Sequence, residues 1–170
     1  MSAIKKRVAD VLINVSKNIF IPVLMPQIQL LNAHLLQLGL DKQLYIYGTQ
    51  VGVEVARMAG KAMGRERMSL DELVEWTPFI IKHLTIGIAS GRIVEVNREK
   101  GEYTVRVYNS PYAKLPDGKT LSLGRPACHM LAGIFAGGAT RVLGKPYSAV
   151  ETKCIAKGDD YCEFKLKPVQ

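Results

Sequence analysis

The chain has 170 residues, of which 48% are hydrophobic and 22% charged, a composition that suits an ordinary globular protein with one sizeable core. Lys and Arg exceed Asp and Glu by 23 to 15, which gives a formal charge of +8. The basic residues are spread along the chain without interleaved aromatic residues, so we expect no specific nucleic acid site.

The most apolar stretch, residues 19–40, is interrupted by prolines and polar residues. It predicts a buried or partner-facing helix rather than a transmembrane segment. The first twenty residues lack the apolar block and cleavage site of a signal peptide. An odd number of cysteines, three, argues against a disulfide framework. We therefore expect a cytoplasmic protein.

The first half of the chain has helical periodicity. Apolar residues recur at threes and fours in VADVLINV, IQLLNAHLLQLGL and YIYGTQVGVEVARMAGKAMG. Gly39 and Gly64 predict the ends of the second and third of these helices. Ser69 and Glu72 form a capping box that predicts the start of a helix at LDELVEW, and Pro78 predicts that a new helix begins there.

The second half changes to a period of two. GRIVEVNR and EYTVRVYNS alternate around Lys100 and Gly101 and predict a hairpin, and SAVETKCIAK and YCEFKLK predict another. Between them, SPYAKLPDGKTLSLG predicts a loop that forms a rim or lid, and PACHMLAGIFAGGATRVLG predicts the last helix. This order predicts an α+β fold in which helices pack on one face of a four-stranded antiparallel sheet.

Glycines inside two of the predicted helices require a compensating interaction. Each costs about 1 kcal/mol relative to alanine in a helix interior. Close helix packing is the preferred explanation, and a ligand lying against the backbone is the alternative. The glycines are Gly48, Gly52 and Gly60 in the third helix, and Gly133, Gly137 and Gly138 in the last.

The three cysteines and one nearby glutamate form a candidate metal site. Cys154 and Cys162 lie at equal distances from Gly158, so a hairpin centred there brings their thiols together. Cys128 begins the last helix, where unpaired N–H groups and the helix dipole favour a thiolate. Three thiolates and the carboxylate of Glu151 are a ligand set suited to Zn²⁺, although three small buried side chains are the alternative.

The position of Glu151 raises an objection to this site. It precedes Cys154 by three residues, which in a regular strand places the two side chains on opposite faces. A shared site therefore requires a bulge or an irregular strand end. Three thiolates, a carboxylate and Zn²⁺ carry two net negative charges, which Arg125, Lys153 and Lys157 are close enough in sequence to offset.

The segments PACHMLAGIFAGGATRVLG and VETKCIAKGDDYCEF resemble the vinyl-4-reductase domain family and the sensor domain of the phenol-responsive bacterial activators. Their hallmark is a Gly-rich helix followed by a hairpin with E-x2-C, K/R-G-D and a second Cys. The resemblance covers roughly residues 45–168. It implies that Cys128, Glu151, Cys154 and Cys162 hold zinc, and four protein ligands indicate a structural rather than a catalytic site.

The resemblance also implies a fold shared with heme nitric-oxide sensors and with subunits of the TRAPP transport particle. Such domains commonly dimerise through their helices and enclose a cavity for a small aromatic or hydrocarbon ligand. Trp76, Phe79, Ile80 and His83 lie on neighbouring turns and are the candidate ligand contacts, with His83 as the polar anchor. Ordinary core packing is the alternative for these four.

These observations predict a zinc-containing small-molecule-binding domain that acts as a sensor or carrier module. We expect one domain over residues 1–170, with residues 1–44 as a helical extension that could support a homodimer, and an unidentified effector protein. No catalytic motif is recognised, so we expect no enzyme. The alternatives are a TRAPP-like interaction scaffold without a ligand and a subunit that reduces a tetrapyrrole vinyl group, which would need an electron donor.

Overall fold

The computed structural model describes residues 10, 14, 23–84 and 88–169. The predicted helix VADVLINV and much of the predicted N-terminal extension lie outside these residues. The helices are α1 (Met25–Gln37), α2 (Asp41–Met63), α3 (Leu70–Leu84) and α4 (His129–Leu143). The strands are β1 (Ser90–Asn97), β2 (Glu102–Tyr108), β3 (Tyr147–Lys153) and β4 (Cys162–Pro168). Short 3₁₀ turns span Pro111–Ala113 and Ile155–Lys157.

The two predicted hairpins join into one antiparallel sheet with the strand order β1-β2-β4-β3. Since side chains alternate along a strand, β2 and β4 each present one face to the helices. Val105, Val107, Phe164 and Leu166 lie on that face and are at most 2% exposed. The predicted α+β fold is confirmed.

The ends of the helices follow the local sequence, with one exception. Gly64 ends α2 in the left-handed conformation. At the start of α3, the Glu72 N–H donates to the Ser69 hydroxyl and the Ser69 N–H donates to the Glu72 carboxylate, at 3.2 and 2.8 Å. The predicted new start at Pro78 is wrong, because α3 continues through it. Proline removes one N–H donor, and burial of the flanking Trp76 and other apolar side chains stabilises the continuous helix.

Helices α2 and α4 form the principal helix pair. A Cβ atom at Gly48 would lie 2.0 Å from the carbonyl oxygen of Met130, and one at Gly133 would lie 2.1 Å from that of Tyr45. Gly52 and Gly137 meet the opposite backbone at the same close range. The helix-packing explanation of these glycines is therefore confirmed.

Helix α1 is attached to the rest of the fold mainly through the Pro111–Ala113 turn and α2. Its outer face is unusually apolar, with Leu30, Leu31 and Leu38 about half exposed. No helix in the described ranges combines the length and the apolar character needed to cross a bilayer.

Candidate metal centre and ligand cavity

Four side chains from three elements meet at one end of the sheet. Cys128 is the N-cap of α4, Glu151 lies in β3, Cys154 follows the end of β3, and Cys162 begins β4. The three cysteines are fully buried and Glu151 is 9% exposed. The last helix and the second hairpin thus supply all four residues that the sequence predicted as metal ligands.

The geometry of this cluster suits a tetrahedral ion. The sulfur of Cys128 lies 3.9 Å from that of Cys154 and 3.6 Å from that of Cys162, and the latter two are 3.8 Å apart. One ligand atom from each of the three cysteines and Glu151 lies within 4.8 Å of the others. A tetrahedron with metal–sulfur bonds of about 2.3 Å has sulfur–sulfur edges of about 3.8 Å. The cluster could therefore hold a metal ion.

A β-bulge brings Glu151 onto the side of the cysteines. Glu151 pairs with Phe164 and Lys153 pairs with Glu163, so Thr152 is an extra residue in β3. Such an insertion shifts the alternation of side chains by one position. The structure therefore removes the objection that three residues separate Glu151 from Cys154.

Hydrogen bonds hold the cluster in place and leave one carboxylate oxygen free. The backbone N–H of Cys128 donates to Oε2 of Glu151 at 2.9 Å. Oε1 of Glu151 is buried and accepts no hydrogen bond from the described residues. The N–H of Cys154 donates to Asp159 at 2.8 Å, and the Ser110 hydroxyl lies 3.4 Å from the Cys128 sulfur. A buried carboxylate oxygen without a donor is a good metal ligand, because a cation would satisfy it.

Burial and mutual contacts shift the acidities of the cluster. Burial, followed by the charge of Cys154, raises the pKa of Glu151 to about 8. Burial also raises the pKa of Cys128, whereas hydrogen bonds from the Cys128 and Cys162 thiols lower the pKa of Cys154. Without a metal, the cluster therefore favours one thiolate held by two thiols. Metal binding would release the remaining protons.

The predicted counter-charges make other contacts. Arg125 forms an ion pair with Asp41 at 2.8 Å. The ammonium of Lys153 donates to the hydroxyl of Tyr161 at 3.0 Å. Within the described chain, Arg125 therefore ties the loop before α4 to the start of α2, and its guanidinium does not compensate the cluster by direct contact.

An apolar cavity of about 400 Å³ lies between the sheet and the helices. Its walls come from α1, α2, α3, α4, β2 and the Pro111–Ala113 turn, and none of its described lining residues carries a charge. Leu24 and Val51 line it and are also about 40% exposed, so its mouth lies between the start of α1 and the middle of α2.

The cavity and the cysteine cluster share a wall. Val107 lines the cavity and pairs with Cys162 across β2 and β4. Tyr112 also lines the cavity, and its carbonyl accepts a hydrogen bond from Asn32, whose amide also donates to the carbonyl preceding Cys128. The position of this wall therefore depends on the geometry of the cluster.

The predicted ligand contacts are divided by the structure. Ile80 lines the cavity. Trp76 and Phe79 stack edge to face with ring centres 5.6 Å apart, in a small cluster with Met63 and other apolar residues. Neither aromatic ring is among the described cavity-lining residues, and the side chain of His83 lies outside the described part. The assignment of these residues to a ligand stays a prediction.

Sequence reasoning missed the cavity walls on β2 and α4. Tyr103, Val105 and Val107 line the cavity from β2, and Met130 and Ile134 line it from α4. The alternation in EYTVRVY was the available signal, since it identifies the inward face of β2. It does not show that the helices leave a space above that face.

Comparison with known proteins supports the resemblance seen in the sequence. Residues 104–168 match the family model of the vinyl-4-reductase domain. An uncharacterised protein of Methanocaldococcus jannaschii is 36% identical over 114 residues, which are 64% of this chain and 60% of that protein. A second protein of that organism is 44% identical over 50 residues, or 29% of this chain and 28% of its own length. The chain thus spans less than two thirds of the length of each of these relatives.

Solved structures share the fold at low sequence identity. The phenol-responsive sensory domain of the transcription activator PoxR, solved with phenol, is 17% identical with a TM-score of 0.69, covering 99% of this chain and 92% of that chain. A trafficking protein particle complex subunit 3 from Naegleria fowleri, covalently bound to palmitic acid, is 14% identical with a TM-score of 0.62, covering 86% and 95%.

A vinyl-4-reductase family protein from Methanocaldococcus jannaschii is 20% identical with a TM-score of 0.57, and the match covers 100% of this chain and 98% of that chain. At these identities the three solved structures establish the fold alone. The family match covers β2, α4, β3 and β4, the elements that carry the whole cysteine cluster. Over residues 104–168 this chain is therefore a domain of the vinyl-4-reductase family.

Proposed function

We propose that this protein is a zinc-containing small-molecule-binding domain that acts as a sensor or carrier module. The observation that carries the proposal is the wall shared by the apolar cavity and the cysteine cluster, at Val107 and Cys162. In this proposal the metal joins the second hairpin to α4 and holds one side of the cavity in place. A bound ligand and the metal would stabilise the same part of the fold.

Zinc is the metal that best suits the donor set. Three thiolates and one carboxylate are soft and borderline ligands, and a tetrahedral S-rich site favours zinc over the oxygen-preferring cations. The sulfur–sulfur distances of 3.6 to 3.9 Å agree with the edges of a zinc tetrahedron. Four protein ligands leave no position for a substrate or a reactive water, which supports a structural role.

A ligand is supported by the size and chemistry of the cavity. Its volume of about 400 Å³ lies within the usual range for small-molecule sites, and its lining is almost entirely apolar. Two proteins with the same fold carry phenol and palmitic acid in their solved structures. We extend that chemistry here only to the class of apolar or aromatic molecules.

Native mass spectrometry of the purified protein, repeated under denaturing conditions with elemental analysis, tests both parts of the proposal. We expect one zinc per chain and an organic mass that is lost on denaturation. Protein without zinc would contradict the metal assignment. A zinc-loaded protein that neither carries an organic molecule nor takes up an apolar dye would contradict the ligand-binding function.

A second candidate function is an interaction scaffold, favoured by the exposed apolar face of α1. Leu30, Leu31 and Leu38 are 53%, 47% and 59% exposed, and Ile46 and Tyr47 of α2 are similarly accessible. Apolar helix faces of this kind commonly bind a partner. We propose a homodimer within one domain of residues 1–170, located in the reducing cytoplasm, with residues 1–44 contributing to the interface. Monomeric protein in sedimentation equilibrium at micromolar concentration would contradict it.

A further inference from the structure

The cavity is elongated along β2 and has a tyrosine near each end of that wall. Tyr103, Val105 and Val107 alternate along β2 and line the cavity together. With a rise of about 3.4 Å per residue, the Cα atoms of Tyr103 and Val107 are about 13 Å apart. Tyr112 lines the cavity near Val107, because Asn32 ties its carbonyl to the residue preceding Cys128.

The hydroxyl groups of these two tyrosines lack partners within the described protein. Tyr103 and Tyr112 are each 5% exposed, and neither hydroxyl forms a hydrogen bond with a described residue. Two other tyrosines with polar contacts in the interior differ in this respect. The hydroxyl of Tyr147 donates to Gly101 at 2.7 Å, and that of Tyr45 accepts from the N–H of Ala149 at 3.1 Å. Buried hydroxyls normally have a partner, so these two are available to a molecule in the cavity.

The cavity disfavours a charged ligand. None of its described lining residues is charged, and the Thr77 hydroxyl already donates to the carbonyl of Leu73 at 2.6 Å. Burial raises the pKa of Tyr103 above its usual range, so its hydroxyl stays neutral at physiological pH. A buried carboxylate without a cation or several donors would be strongly destabilised.

We propose that Tyr103 and Tyr112 are the polar recognition groups of this cavity. Their ligand is an elongated, neutral, apolar molecule with a hydroxyl or carbonyl oxygen, rather than a carboxylate. This inference rests on the proposed ligand-binding function and names the class of ligand. Tyr103 and Tyr112 select the ligand by hydrogen bonding, and the apolar walls provide the bulk of the affinity.

Competition binding on the zinc-loaded full chain tests the proposal. The neutral apolar dye N-phenyl-1-naphthylamine reports occupancy, and 1-decanol and decanoate compete with it at pH 8, where decanoate is ionised. We expect 1-decanol to bind at least tenfold more tightly than decanoate. Tyr103→Phe or Tyr112→Phe should weaken 1-decanol by about five- to tenfold, the loss of one hydrogen bond, and leave dye affinity within twofold.

Tyr147→Phe is the matched control, because its hydroxyl bonds Gly101 and its ring is not among the described cavity-lining residues. It should change neither dye nor 1-decanol affinity. Removing an unpartnered hydroxyl should not lower the melting temperature of the Tyr103 and Tyr112 variants, so unfolding does not obscure the result. Equal affinities for decanoate and 1-decanol, or unchanged 1-decanol affinity in both variants, would overturn this inference alone. Absence of dye binding to the wild-type protein would overturn the proposed function as well.

Discussion

The contact between α2 and α4 predicts opposite effects for two neighbouring glycines. In Gly133→Ala, the new Cβ would lie 2.1 Å from the carbonyl oxygen of Tyr45, whereas ordinary contacts begin near 3.4 Å. The clash is with backbone, so no side-chain rotation relieves it and the helices must separate by about 1 Å. Overpacking of this kind costs about 1–3 kcal/mol and exceeds the gain of up to about 1 kcal/mol in helix propensity.

Gly138→Ala is the matched control in the same helix. Its Cβ would lie 3.8 Å from the nearest atom, the carbonyl oxygen of Gly52, which is an ordinary contact. The variant should gain about 0.5–1 kcal/mol and melt about 2–4 °C higher than wild type. Gly133→Ala should melt about 2–8 °C lower in the same thermal unfolding assay with zinc present. Equal or higher stability of Gly133→Ala would refute the close approach of the two helices.

Three further predictions concern the metal centre and its wall. Cys154→Ser should lower the zinc-loaded protein's unfolding free energy by several kcal/mol in urea titrations and have a smaller effect after chelation, because metal binding energy is folding energy; an unchanged midpoint with zinc would contradict a structural metal. In the chelated protein, Glu151→Gln should become more stable relative to wild type as pH rises from 5 to 8. The raised pKa of Glu151 means that the folded state keeps a proton which the unfolded state releases above about 4.5, so wild type loses stability over that range, by about 1.4 kcal/mol for each pH unit; a pH-independent difference would refute the burial of this carboxyl group. Asn32→Ala should cost about 2–4 kcal/mol, since it leaves the buried carbonyls of Tyr112 and Ala127 unpaired, and an unchanged melting temperature would show that α1 is held by other contacts.

The local features of this fold were predictable because they depend on neighbouring residues. The alternation in EYTVRVY and the Lys100–Gly101 turn determine the first hairpin, and Ser69 and Glu72 determine the start of α3. The glycines of α2 and α4 indicated close packing, since a helix tolerates several glycines only where another backbone approaches. The gaps between the three cysteines and Glu151 were enough to select the four residues of the cluster.

Tertiary structure decided the features that depend on distant parts of the chain. The bulge at Thr152 follows from the pairing of β3 with β4, and strand register is set across the sheet rather than along one strand. Helix α3 continues through Pro78 because burial of its flanks outweighs one missing hydrogen bond. The cavity exists because the tight α2–α4 pair and α3 leave space above β2. Sequence periodicity identifies which faces are apolar, but only the assembled elements determine where those faces do not meet.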